Sequence, residues 1–85
     1  MNRQNYIDAV VKVISNRGIR NSTLAIFELT SLKNFGIDVS TNMKLVEDYR
    51  NILKAQFKGT VGIQEYMKAR DKAWELFLDS LADIK

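Results

Sequence analysis

The 26 residues NRGIRNSTLAIFELTSLKNFGIDVST, 16–41, place one apolar segment between two joints of the same form. NRGIRNST over 16–23 and NFGIDVST over 34–41 both read N-x-G-I-x-x-S-T. In such a joint glycine takes the left-handed conformation that closes a helix. The isoleucine behind it packs back, onto Ile14 in the first joint and Leu32 in the second, and Ser or Thr caps the next helix. An ancient duplication would leave the same trace, but the flanking helices do not match, and capping alone demands most of these residues.

Outward from these joints the apolar positions recur with helical spacing and no proline interrupts them. The first helix spans residues 3–17, with Tyr6, Val10, Val13 and Ile14 on one face, Ile7 and Val11 beside them, and Gly18 as its stop. The second spans 22–35, where Leu24, Ala25, Ile26, Phe27, Leu29, Leu32 and Phe35 leave little polar surface. A helix apolar on most sides is either central in a core or covered by a partner, although TLAIF would also suit a strand. The third spans 41–58, carries Val46, Tyr49, Leu53 and Phe57, and stops at Gly59. The fourth spans 61–83, with Ile63, Tyr66, Met67, Trp74, Phe77, Leu78, Leu81 and Ile84 as its stripe. Gly62 leaves its start open between Val61 and Ile63. The chain reads as all-α, a small four-helix arrangement in a single domain over residues 1–85.

Composition narrows the chemistry. The sequence holds neither cysteine nor histidine, which removes disulfides, thiolate and imidazole metal ligands, the commonest general base and the most reactive nucleophile. The expectation is a protein that is not an enzyme and has no cofactor, metal site or catalytic residue. With 46% hydrophobic and 27% charged residues the chain is globular in composition. No apolar run approaches the ~20 residues that cross a bilayer, and the N-terminus lacks the pattern of a secretion signal. A soluble, cytoplasmic protein without a membrane partner is expected. The net charge of +3 is concentrated before Gly36, where Arg3, Lys12, Arg17, Arg20 and Lys33 outweigh Asp8 and Glu28.

Four constellations compete as sites, each against a plainer reading. A helix-turn-helix could be built on the first two helices, with Gly18, Ile19, Leu24, Phe27 and Val13 as packing positions. Its reader helix would offer only Ser22, Thr23, Glu28 and Thr30, then Ser31 and Lys33, to base edges. Using Gly36 as the turn instead presents Ser40, Thr41, Asn42, Lys44 and Asp48, but puts Asn42 where an apolar contact belongs. An ordinary pair of packed helices explains either joint. Arg50, Lys54 and Lys58 share a face at i, i+4 spacing and, with Lys68, Arg70 and Lys72 folded back nearby, could meet phosphate. The interleaved Glu47, Asp48, Glu65 and Asp71 favour a solvated face.

The acidic ladder Asp71, Glu75, Asp79 and Asp83 costs an isolated helix roughly 0.2–0.5 kcal/mol per like-charged pair. Its offset is either Lys68, Lys72 and basic residues across the fold, or a basic surface on a partner. Ile63, Met67, Arg70, Trp74, Phe77, Leu81 and Ile84 form a heptad seam, most often the core contact of a bundle. At 1.5 Å per residue the fourth helix outreaches the first two by about 10 Å, so Phe77, Leu81 and Ile84 are not all expected to find cover within one chain, and an exposed apolar patch there would mark a site of self-association into a homo-oligomer or of partner binding.

The leading expectation is therefore a non-catalytic protein–protein interaction module, a small regulator, inhibitor or adaptor that covers a surface of a larger partner. Trp74, Phe77, Leu81 and Ile84 would be its apolar anchors and Asp71, Glu75, Asp79 and Asp83 its charges; its size would suit an accessory protein of a virus or mobile element. The alternative is a helix-turn-helix DNA-binding regulator that dimerises through helix four and meets nucleic acid with Arg20, Lys44, Arg50, Lys54 and Lys58.

Overall fold

Asn2 opens helix α1 (Arg3–Ile14) by accepting the N–H of Asn5 on its side-chain oxygen at 2.8 Å. Asn21 does the same for α2 (Ser22–Asn34), accepting from Leu24 N–H at 2.9 Å. Each satisfies one of the backbone donors that a helix start leaves unpaired. The capping residue is thus Asn21, not Ser22 or Thr23, which fall inside the first turn. Helix α3 (Ser40–Phe57) is held at its start by Asp38, which accepts from the N–H and the hydroxyl of Ser40 at 3.0 and 2.8 Å. These two donors keep the Asp38 carboxyl below the usual carboxylate range. The two joints therefore place their caps at different positions of the shared pattern.

The computed structural model describes residues 2–15, 20–57 and 62–84, with residues 56 and 57 as backbone only. The helix stop expected at Gly18, the packing of Ile19 and the stop at Gly59 lie outside these residues. The second joint is described in full and behaves as its glycine requires. Gly36 has φ +89°, Gly36 N–H donates to Lys33 O, and Ile37 N–H reaches back to Leu32 O, both at 3.0 Å. This is the Schellman closure, and Ile37 and Leu32 are both buried where the chain reverses. An alanine at 36 meets no neighbouring atom, so its cost is backbone strain alone, partly offset by a stiffer unfolded chain. Gly36→Ala is expected to cost about 1 kcal/mol and lower the thermal midpoint by roughly 5 °C, as calorimetry can measure.

Helix α4 (Ile63–Ser80) follows Gly62, and a single 3-10 turn, Leu81–Asp83, ends the fold. The four helices confirm the all-α reading, but the last turn winds more tightly than the continuous helix expected to Asp83. Packing follows chain order, α1 on α2, α2 on α3 and α3 on α4, with the α3–α4 contact the most extensive. The molecule is elongated, 46 × 22 × 18 Å. One core runs through it: Ile7, Val10 and Ile14 from α1, Ala25, Leu29 and Leu32 from α2, Ile37 and Val39 from the joint, Val46 and Tyr49 from α3, and Trp74, Phe77, Leu81 and Ile84. The Trp74 ring lies 4.9 Å from Tyr49 and 5.2 Å from Phe77, at tilted angles suited to aromatic contact. No helix among the described residues is long and apolar enough to cross a membrane.

Burial divides the apolar residues of the first two helices. Helix α2, left open between a central place and a partner's cover, encloses one face only: Ala25, Leu29 and Leu32 are buried at i, i+4, i+7 spacing, while Phe27 on the opposite side is 67% exposed. In α1 the buried line is Ile7, Val10 and Ile14, which leaves Val13 exposed on its flank. A helix with more apolar residues than one face can hold must leave some outside, and neighbouring helices choose which.

Candidate functional site

The fourth helix carries the largest revision. Trp74, Phe77, Leu81 and Ile84, expected as partner anchors at an uncovered end, are buried in the chain's own core, Phe77 completely. The uncovered end is the other one. Ile63 and Met67 belong to the same heptad seam as Trp74 and Leu81, yet they are 67% and 46% exposed.

The connection explains the reversal. The joint over 35–39 pins the start of α3 to the end of α2, so any extra length of α3 must project past the start of α2. Helix α3 has 18 residues and α2 has 13, a difference of about 7–8 Å at 1.5 Å per residue. Helix α4 begins at that projecting end. Burial fades along α3 accordingly, from Val46 and Tyr49, fully enclosed, to Ile52 and Leu53, half-buried. Arg20, just before α2, marks how far the shorter layer reaches along α4, because its guanidinium meets Asp71 at 2.6 Å. Beyond that contact α3 and α4 form an arm of two helices over which no third layer lies among the described residues. Its unroofed surface carries Ile63 and Met67, with Tyr66, Leu53 and Arg70 half-buried beside them. The Arg70 guanidinium lies over the Tyr66 ring at 5.7 Å and also reaches Asp71 at 3.2 Å.

The acidic ladder is divided by the same contacts. Hydrogen bonds from Arg20, and then from Arg70, hold the Asp71 carboxyl below the usual carboxylate range, and the bond to Asp71 raises the affinity of Arg20 for its proton. Asp71 is therefore neutralised within the fold, across from the α1–α2 connection. Glu75 and Asp79 stay exposed on α4. Asp83 falls in the 3-10 turn, where three residues per turn rotate it off the line of the others. It lines a small polar cleft of about 180 Å³ with Asp38, Thr41, Asn42 and Ser80. Among the described residues no three of His, Cys, Asp and Glu are grouped to hold a metal ion.

The basic residues singled out for nucleic acid are not gathered into one surface. Arg20 is engaged by Asp71. Lys44 lies 3.6 Å from Asp48 in an exposed i, i+4 pair, a contact of little energetic weight. Arg50 and Lys54 line a shallow groove with Ile26, Glu47 and Asn51 against α2, and Lys58 lies outside the described residues. Neither version of a reader helix is well equipped. Helix α2 turns Thr23, Phe27, Thr30 and Asn34 outward, and Phe27 does not lock α2 onto α1 as the motif requires. In α3, Asn42 is indeed at a packing position, 5% exposed. The fold accommodates it because its side-chain amide donates to the Ser80 carbonyl at 2.9 Å and to the Ser80 hydroxyl at 2.8 Å.

The composition of the arm could have been anticipated from helix lengths combined with the direction imposed by the Gly36 joint. The exposure of Phe27 had only the surplus of apolar residues in α2 as its signal. No protein-family model, no curated protein and no solved structure matches the chain.

Proposed function

We propose that the chain is a non-catalytic protein–protein interaction module whose docking face is the α3–α4 arm, not the C-terminal end of α4. The observation that carries this reading is the single seam of α4, which is enclosed from Trp74 onward and open at Ile63 and Met67. Large apolar side chains that continue a core stripe into solvent suit a surface that another molecule covers. On the stretch of α4 before Trp74, Lys68, Arg70 and Lys72 stand against Glu65 and Asp71, a slight positive excess that suits a partner with an apolar surface and an acidic rim. The exposed Glu75 and Asp79 lie farther along α4 and would face a basic rim instead.

Crosslinking capture from cells that express the tagged protein distinguishes the two faces. Met67→Asp with Ile63→Asp is expected to leave the free energy of unfolding within about 1 kcal/mol of wild type, as two exposed substitutions do. It should abolish recovery of the partner, while Glu75→Lys with Asp79→Lys preserves it. Recovery unaffected by the first pair and lost with the second would move the docking face to the ladder. Recovery unaffected by both would exclude α4 from the contact.

A further inference from the structure

Lys68, Lys72, Glu75 and Asp79 follow one another along α4 at steps of four, three and four residues, and all are exposed. Steps of that size keep them on one stripe of the helix. At about 100° per residue the stripe is centred about 130° round the helix from the buried Trp74 and about 110° from Met67 on the arm, so it faces away from both. Among the described residues none of the four forms an ion pair. Within its own helix this order of charges is unfavourable. Lys68 and Lys72 are like-charged neighbours at i, i+4, as are Glu75 and Asp79, and the one opposite pair, Lys72 with Glu75, runs basic to acidic, the weaker direction. Asp79 also adds a negative charge to the last turn of α4, where the helix dipole is already negative.

The symmetry of the stripe selects what offsets it. Its spacing reads the same from either end, while its signs reverse. A second α4 laid antiparallel, with a two-fold axis level with the midpoint between Ala73 and Trp74, sets Lys68 opposite Asp79 and Lys72 opposite Glu75, once from each copy. The same axis brings Leu76, 48% exposed, to within about 3 Å along the helix of the exposed Ala69 of the other copy, a large apolar side chain against a small one. Glu65 stands to the flank of the stripe at one end, and Asp83 is rotated off it in the 3-10 turn. A parallel pairing would set like charge on like. A partner surface of one sign would match half of the stripe and repel the other half.

We infer that the outer face of α4 is a self-association site, at which two copies of the chain pair their α4 helices antiparallel about a two-fold axis through this stripe. The contact is isologous, each copy giving the same residues. One helix face is a small interface and its ion pairs are exposed, so the dimer is weak and sensitive to salt. It uses a different face of α4 from Ile63 and Met67, and it stands independently of the docking role proposed for the arm.

Sedimentation equilibrium of the full chain across the micromolar to millimolar range tests the assignment. Wild type is expected to dimerise at low ionic strength and to weaken at least about tenfold in 1 M salt, where the screening length falls to about 3 Å. Lys68→Glu with Glu75→Lys keeps the net charge of +3 but makes the stripe read acidic, basic, basic, acidic, so that like charges face each other across the axis. This variant gains favourable i, i+4 pairs within α4 and should keep its helix content, yet its association should fall at least about tenfold below wild type. Exchanging all four signs, Lys68→Glu, Lys72→Glu, Glu75→Lys and Asp79→Lys, also keeps the net charge and restores the matching, so this chain should dimerise at low salt as wild type does. Met67→Asp should leave the dimer unchanged. A wild-type chain monomeric at low salt, a dimer indifferent to salt, or a Lys68→Glu, Glu75→Lys variant that associates as wild type does overturns the inference. If either set of substitutions impairs folding, the salt response of wild type and the remaining set decide it.

Discussion

Replacing Phe77 by alanine is expected to remove most of the stability of this protein. The Phe77 side chain is completely enclosed, and its ring stacks at a tilt on Trp74 5.2 Å away. Its loss combines the transfer free energy of the ring with the cavity left behind, together about 3–5 kcal/mol. A domain of 85 residues has on the order of 4–13 kcal/mol in total, and a core this small has few other large side chains to close the gap. Urea unfolding followed by the emission of Trp74, the one tryptophan, measures the change at the site where it occurs. Phe77→Leu keeps most of the volume and is expected to cost about 1 kcal/mol, which gives a folded reference if the alanine variant does not fold. A cost under about 1 kcal/mol for Phe77→Ala would show that α4 does not deliver its C-terminal half to the core, and Phe77 would again be available as an anchor for a partner.

Asn42→Asp is the second large effect, and its signature is pH. Asn42 is enclosed between α3 and the end of α4, donating to both the carbonyl and the hydroxyl of Ser80, while that hydroxyl donates to the Phe77 carbonyl. The amide thus supplies protons where the surroundings present oxygens. An ionised aspartate supplies none, faces the Ser80 carbonyl and is cut off from water, which costs about 3 kcal/mol at neutral pH. Burial and oxygen neighbours raise the folded-state pKa of the new carboxyl above its unfolded value of about 3.9. The folded state then holds the proton more tightly than the unfolded one, so the penalty is full above the folded pKa and shrinks as pH falls toward the unfolded value. Denaturation of variant and wild type at pH 7 and near pH 4 should show a large difference that narrows on acidification. A difference independent of pH would mean that residue 42 is open to solvent.

Both predictions concern residues whose roles were only partly legible beforehand. The periodicity of Trp74, Phe77, Leu81 and Ile84 identified one face of a helix, and that face is real. Periodicity carries no information on whether the face is met by the chain's own helices or left open, because an enclosed seam and a docking seam have the same spacing. Asn42 was recognisable as a polar residue on an apolar line, but Ser80, 38 residues away, is matched to it only by the antiparallel fold of α3 on α4. Asp71 likewise looked like the first rung of a uniform ladder, and its pairing with Arg20 spans 51 residues.

What the sequence determined by itself is local: four helices and the left-handed turn at Gly36, with the capping residue misplaced by one or two positions in both joints. The forces responsible, backbone donors seeking a side-chain acceptor and a residue without a Cβ tolerating positive φ, act within a few residues. Only the tertiary structure decided which apolar residues are covered. Val13, Phe27, Ile63 and Met67 are as apolar as their buried neighbours, and they are exposed because α1 and α2 are too short to roof the arm and too rich in apolar residues to hide them all. Burial is a property of what lies opposite a side chain, and that is set by helix length, direction and packing order across the whole chain.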